Sequence, residues 1–115
     1  VVLVGVSFSC TPNKHWRYHR AAHLFCDGPD SLDELHQIAS KIGLKRQWFQ
    51  DHPTMPHYDL TESKRVQAIR KGAKSVDLKT EVKFIRQWRE IKKELQLMNE
   101  VANMEEELKK QKGKT

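Results

Sequence analysis

Nine consecutive residues, His57-Tyr58-Asp59-Leu60-Thr61-Glu62-Ser63-Lys64-Arg65, concentrate the side chains of this chain that are best suited to chemistry. In an extended segment, residues i and i+2 project to one side, so His57 and Asp59 can reach the same substrate or ion. An imidazole that titrates near neutrality moves a proton, and a carboxylate beside it sets its orientation. His57 and Asp59 are therefore the candidate catalytic pair. Thr61 has the character of a helix N-cap, which leaves the first amides of a following helix facing outward at the positive end of the macrodipole. Lys64 and Arg65 add full positive charges in that first turn, where cations are disfavoured unless something negative sits nearby. The conflict points to a phosphate or carboxylate ligand, with Arg65 suited to bidentate contact. Internal neutralisation by Glu62 and Asp59 is the structural alternative. A zinc site normally takes three or four protein ligands. His23, His52 and Asp27 are the residues that would complete one here, but their spacing is not diagnostic, and no metal is assigned.

A second cluster precedes this one. His15, His19 and His23 recur every four residues, which on a helix would place them on one face, but Pro12 and the strand-like character around His23 argue against a continuous helix. Together with Trp16, Arg17, Tyr18 and Arg20 they make a surface of rings and cations suited to bases or nucleotides. Aromatic packing beneath a loop is the competing reading. No Gly-rich phosphate loop is present, and no Ser or Cys lies in a nucleophile motif.

The elements that must position these groups follow from periodicity. Val1-Val2-Leu3-Val4 is an apolar, β-branched run that predicts a buried strand, and Gly5 follows where the chain turns or something approaches closely. Residues 21–26 predict a second strand. Ser31-Leu32-Asp33-Glu34 has the form of a capping box, and Leu32, Leu35, Ile38, Ala39 and Ile42 repeat at helical spacing up to Gly43, a left-handed terminator. Residues 44–50 suit a short strand, and Pro53 and Pro56 a loop. Thr61 opens a second helix with Val66 and Ile69 facing inward and Gly72 closing it. Residues 74–78 suit one more strand. Alternating strands and helices give an α/β class: a small mixed or parallel sheet, flanking helices and a long C-terminal helix.

That last helix begins near Thr80. Phe84, Trp88, Ile91, Leu95, Met98 and Ala102 are spaced 4, 3, 4, 3 and 4, a heptad-like seam, with Lys79, Lys83, Arg86 and Lys93 opposite. A second stripe of Leu97, Val101, Met104 and Leu108 begins where the basic face ends. Two apolar sides need two partners: the sheet for the first, another chain for the second. Asn99 and Asn103 weaken the second stripe, and a frayed tail is the alternative. The expected organisation is an α/β domain over residues 1–80, an amphipathic helix over 81–108 that is a candidate for oligomerisation, and a disordered tail over 109–115.

The 115 residues suit one domain of modest core. The net charge of +6 is concentrated: residues 64–93 hold eleven Lys/Arg against three Asp/Glu, whereas residues 1–60 hold six of each. Such an excess attracts polyanions, although a solvated helix face carries lysines too. Cys10 and Cys26 form no CxxC pair and read as reduced thiols. No apolar run is long enough to span a membrane, and a cytoplasmic location is expected.

The runs His23-Leu24-Phe25-Cys26-Asp27, Asp33-Glu34-Leu35-His36, Ile42-Gly43-Leu44, Trp48-Phe49-Gln50, His57-Tyr58-Asp59-Leu60-Thr61, Lys64-Arg65 and Gly72-Ala73 resemble, in order, the family called domain of unknown function 4031, small phage and bacterial proteins. The likeness covers about residues 1–80 and leaves the long helix as an addition. The resemblance implies an acidic pair directly after the first strand, where Gly5 and Val6 stand here. If those carboxylates serve a metal or catalysis, this chain has lost them.

The expected function is a phage-type accessory protein that binds a phosphorylated ligand, a nucleotide or nucleic acid. His57, Asp59, Lys64, Arg65, His23, Trp16 and Thr61 would contact it, and phosphoester hydrolysis with His57 as acid–base is the enzymatic version. The alternative is an interaction protein that binds itself or a host protein through residues 95–108. The sequence assigns neither a reaction nor a cofactor.

Overall fold

The computed structural model describes residues 1–112. The opening apolar run becomes β1 (Val2–Val4), fully buried. β2 (Phe8–Ser9) follows, and then the longest strand, β3 (Arg20–Cys26), which pairs antiparallel with both. Val4 faces Leu24 in the first pairing and Phe8 faces Ala21 in the second, so the register slips by one residue around Gly5–Ser7. On its other edge β3 pairs antiparallel with β4 (Tyr58–Leu60), with His23 directly opposite Asp59. β5 (Lys74–Ser75) lies parallel to β1 and completes a five-stranded mixed sheet.

Period-two alternation divides the chemistry of β3 between the two faces of the sheet. Leu24 and its partner Tyr58 face α1 (Leu32–Lys41), where the Tyr58 hydroxyl meets His36 Nδ1 at 2.7 Å. His23 and Phe25 face the other way, toward α3 (Leu78–Lys112). There Phe84 packs on Phe25 at 5.9 Å between ring centroids, and Trp88, fully buried, donates from Nε1 to the Cys26 carbonyl at 2.6 Å. α2 (Glu62–Arg70) carries the chain from β4 to β5.

Several local expectations need correction. Ser31 makes no cap bond, because a 3-10 turn over Pro29–Ser31 already runs into α1; its hydroxyl accepts from the Val1 nitrogen instead. Residues 46–48 form a 3-10 turn rather than a strand, and only Gln50 makes a bridge, to His57. In α2 the inward residue is Ala68, while Val66 and Ile69 are each 38 % exposed. Close approach of α2 to the sheet favours the small side chain there. Leu78 opens α3, with Asp77 capping the Thr80 amide at 2.8 Å. The thiols of Cys10 and Cys26 are free.

α3 is 35 residues long, about 52 Å at the helical rise, and accounts for the longest dimension of the chain, 62 Å. Its first seam seats on the sheet only through Ile91; beyond that Leu95, Met98 and Ala102 are exposed, as is the second stripe. The helix includes residues 109–112 of the expected tail, and the remaining three residues lie outside those described. No helix is long and apolar enough to cross a membrane among the described residues.

Candidate functional site

Strand pairing assembles the site. Because His23 and Asp59 are cross-strand partners, their side chains rise on the same face, and His57, two residues before Asp59, joins them. The His23 and His57 rings lie 4.5 Å apart between centroids. Gln50 and His57 exchange backbone bonds of 2.9 and 3.0 Å, closing the loop between them. Gln50 Nε2 then donates to Asp59 Oδ2 at 2.5 Å, which leaves Oδ1 facing the histidines.

Each imidazole is oriented by its Nδ1. That of His57 lies 2.9 Å from the Met55 carbonyl, which can only accept, so His57 carries its proton on Nδ1. That of His23 lies 2.9 Å from Glu81 Oε1 and donates to the carboxylate in the same way. Both Nε2 atoms then face Asp59 Oδ1, at 3.5 Å from His57 and 3.8 Å from His23. Burial lowers the His57 pKa, but the Asp59 carboxylate and the Met55 carbonyl outweigh it, and the net shift is upward. For Asp59, burial raises the pKa, yet His57 and Gln50 bring it below the ordinary carboxylate range.

Glu81 is a member of the candidate site to which no sequence motif pointed. It is 4 % exposed, on the first turns of α3. A signal for it existed: Glu81 falls on the inward face of the helix, one turn before Phe84 and Ile85 and seven residues before Trp88, where a lone acid is out of place. Its carboxylate fills the space beside Gly5. A Cβ built on Gly5 would sit 2.5 Å from Glu81 Cδ and nearer still to an oxygen. The close approach expected at Gly5 is thus to a carboxylate. Position 5 has no acid of its own, and one reaches it from the long helix.

Thr61 caps α2 as expected, accepting from the Lys64 amide at 3.3 Å. The two cations do not turn toward the histidines. Lys64 Nζ donates to the Ile42 carbonyl at 2.5 Å, at the negative end of α1. Arg65 donates from Nε to the Gly5 carbonyl and from NH2 to Ser75 Oγ, both at 3.0 Å, and lies 3.6 Å from Glu62. Arg65 therefore ties α2 to the ends of β1 and β5.

Two concavities meet at this place. A cleft of about 330 Å³ is lined by His23, Gln50, His52, Met55, His57 and Asp59, among others. A groove of about 1060 Å³ runs along the β2–β3 hairpin and includes Trp16, Arg17, Tyr18, Trp48, Thr61 and Lys64. Gln50 and Asp59 line both. In the groove, Trp16 and Tyr18 meet edge to face at 5.1 Å, and Arg17 lies over the Tyr18 ring at 5.2 Å. Lys45 lies over the exposed Trp48 ring at 5.6 Å. His15 and His19 sit in the hairpin and are exposed, so the every-fourth histidine pattern does not form one face with His23. Asp27 pairs with the Val1 nitrogen, away from the cluster.

A protein-family description, "Protein of unknown function (DUF4031)", matches residues 11–88, from the β2–β3 hairpin to Trp88. Gly5 and Val6 lie outside the match, and the exposed part of α3 lies beyond it. No curated protein and no solved structure matches the chain.

Proposed function

We propose that this chain, which belongs to the DUF4031 family of proteins of unknown function, binds a phosphorylated ligand, a nucleotide or a short stretch of single-stranded nucleic acid, in the groove beside Asp59. The observation that carries the reading is the shared wall. Asp59 and Gln50 separate a groove of rings and cations from a cleft of imidazoles, so one ligand can stack in the first and present a phosphoester to the second. Trp48 and Trp16 line the groove and are the rings on which a base would stack, and base–aromatic stacking is sequence-tolerant. Lys14, Arg17 and Lys64 supply positive charge along the same groove. His57, with Nδ1 held by a carbonyl and Nε2 turned to Asp59, is placed to exchange a proton with a bound group. His23 stands beside it. Arg65 acts in this reading by holding the Gly5 carbonyl at the end of β1 rather than by touching phosphate.

Fluorescence anisotropy with a labelled oligothymidylate of about eight nucleotides, and tryptophan quenching by ATP, test the reading. Binding is expected to weaken by about fivefold or more in Trp48→Ala, since a stacked base contributes ~1–3 kcal/mol. It is also expected to weaken in Arg17→Ala and to fall with added salt. No binding of either probe, or binding indifferent to both substitutions, would refute it.

A second reading rests on α3. Leu97, Val101, Met104 and Leu108 are 46–71 % exposed and spaced 4, 3 and 4 along a helix that extends past the sheet. We infer that a second copy of the chain covers this seam, as a coiled coil would.

A further inference from the structure

We propose that His23, His57 and Asp59 form a binding site for a divalent first-row transition-metal ion of the Zn²⁺ class. The short hydrogen bonds of all three residues go elsewhere: His57 Nδ1 to Met55, His23 Nδ1 to Glu81 and Asp59 Oδ2 to Gln50. What remains of each is an acceptor. In the neutral rings Nε2 is a lone pair, Asp59 Oδ1 is anionic, and one ligand atom from each residue lies within 4.8 Å of the others. Three converging acceptors repel one another until a cation sits among them.

The spacing suits a metal ion better than a shared proton. The Nε2–Oδ1 separations of 3.5 and 3.8 Å are long for hydrogen bonds. Two ligands about 2.0–2.1 Å from one tetrahedral ion lie about 3.3 Å apart; the Asp59 pairings are close to that spacing, and the two imidazoles, with ligand atoms within 4.8 Å of each other, would close on it by side-chain rotation. Two imidazoles and one carboxylate select a transition ion over Mg²⁺ or Ca²⁺, which take oxygen ligands. The outer partners are those such sites use, a carboxylate on one histidine and a backbone carbonyl on the other. Glu81, buried and 58 residues from His23 in sequence, thereby acquires a reason to be there as a positioning residue. The three residues line one cleft with His52 and Thr54, which would admit water or a ligand oxygen to the ion. The site stands on these side chains alone and holds whether or not a nucleotide occupies the groove.

The test titrates the full chain, treated with chelator and exchanged, with Co²⁺ and then Zn²⁺, with no nucleotide present. One equivalent of Co²⁺ is expected to give visible absorption of four- or five-coordinate intensity, bleached by Zn²⁺. His57→Ala and Asp59→Ala are each expected to weaken binding by about 100-fold or more, and Glu81→Gln by about 10–100-fold. A variant lacking the exposed hairpin imidazoles, His15→Ala with His19→Ala, is expected to bind as the unaltered chain does. Circular dichroism checks folding. Should a site variant unfold, ¹⁵N spectra of the unaltered chain decide, since Zn²⁺ must shift Nε2 of both His23 and His57. Absence of a stoichiometric complex, loss of binding with the hairpin imidazoles, or Nε2 signals indifferent to Zn²⁺ would each overturn the proposal. Nucleotide binding, measured separately, stands or falls without it.

Discussion

Gly5→Ala should destabilise the protein only while Glu81 is present. The added Cβ would sit 2.5 Å from Glu81 Cδ, whereas carbon atoms in contact lie about 3.5–4.0 Å apart. The carboxylate must therefore move by about 1 Å or more, which breaks its 2.9 Å bond to His23 Nδ1. A hydrogen bond to a charged group contributes ~1.5–3 kcal/mol. Against this, Gly→Ala restricts the unfolded chain and stabilises by ~0.4–1 kcal/mol where the backbone permits it. It does permit it here, since Gly5 is not among the glycines of positive φ. The net expectation is a loss of about 1–2 kcal/mol for Gly5→Ala alone. In the Glu81→Ala background the same substitution should be neutral or stabilising. Urea unfolding of the four proteins gives the coupling directly, expected at about 1.5–3 kcal/mol. Additivity within ~0.5 kcal/mol would mean that the carboxylate does not occupy the space beside Gly5.

Three further expectations concern other parts of the fold. Because the folded His57 pKa is raised above its ordinary 6.5, its contribution to stability is present below 6.5 and lost as pH rises through the folded value. The lowered Asp59 pKa adds stability above 3.8 that is lost as pH falls through its folded value. Asp59→Asn should flatten the resulting plateau in unfolding curves and move the His57 proton-NMR titration downward, and an unmoved titration would contradict the pairing. Thr61→Ala should cost about 1 kcal/mol through the lost cap, read as a shifted urea midpoint. Leu97→Asp or Val101→Asp should convert an associated species to monomer in analytical ultracentrifugation without changing unfolding of the sheet domain; an unaltered chain that is monomeric at all concentrations would sink the seam.

Much of the fold was legible because its determinants are local. The β-branched run of β1, the helical repeat of α1, the terminator Gly43 at φ 83° and the Thr61 cap each act over a few residues. The pairing of His57 with Asp59 was legible for the same reason, since a strand places i and i+2 on one face. What was not legible depends on distant chain. His23 joins the pair through strand pairing, and Glu81 joins through the seating of α3 by Trp88 on the face of the sheet to which His23 points. Lys64 and Arg65 have the residue types of a phosphate clamp, yet tertiary carbonyls at Ile42 and Gly5 claim them. Ser31 and Glu34 match a capping box, but the preceding 3-10 turn leaves Ser31 in the wrong backbone conformation to use it.

The protonation pattern of two histidines underlies both the acid–base reading and the metal site. A long-range proton–nitrogen correlation spectrum, taken on the metal-stripped chain at a pH above the titration of His57, reads it directly. His23 and His57 should both appear with the proton on Nδ1 and a bare Nε2. A proton on Nε2 of either ring would mean that it donates to Asp59, and that the acceptors do not converge.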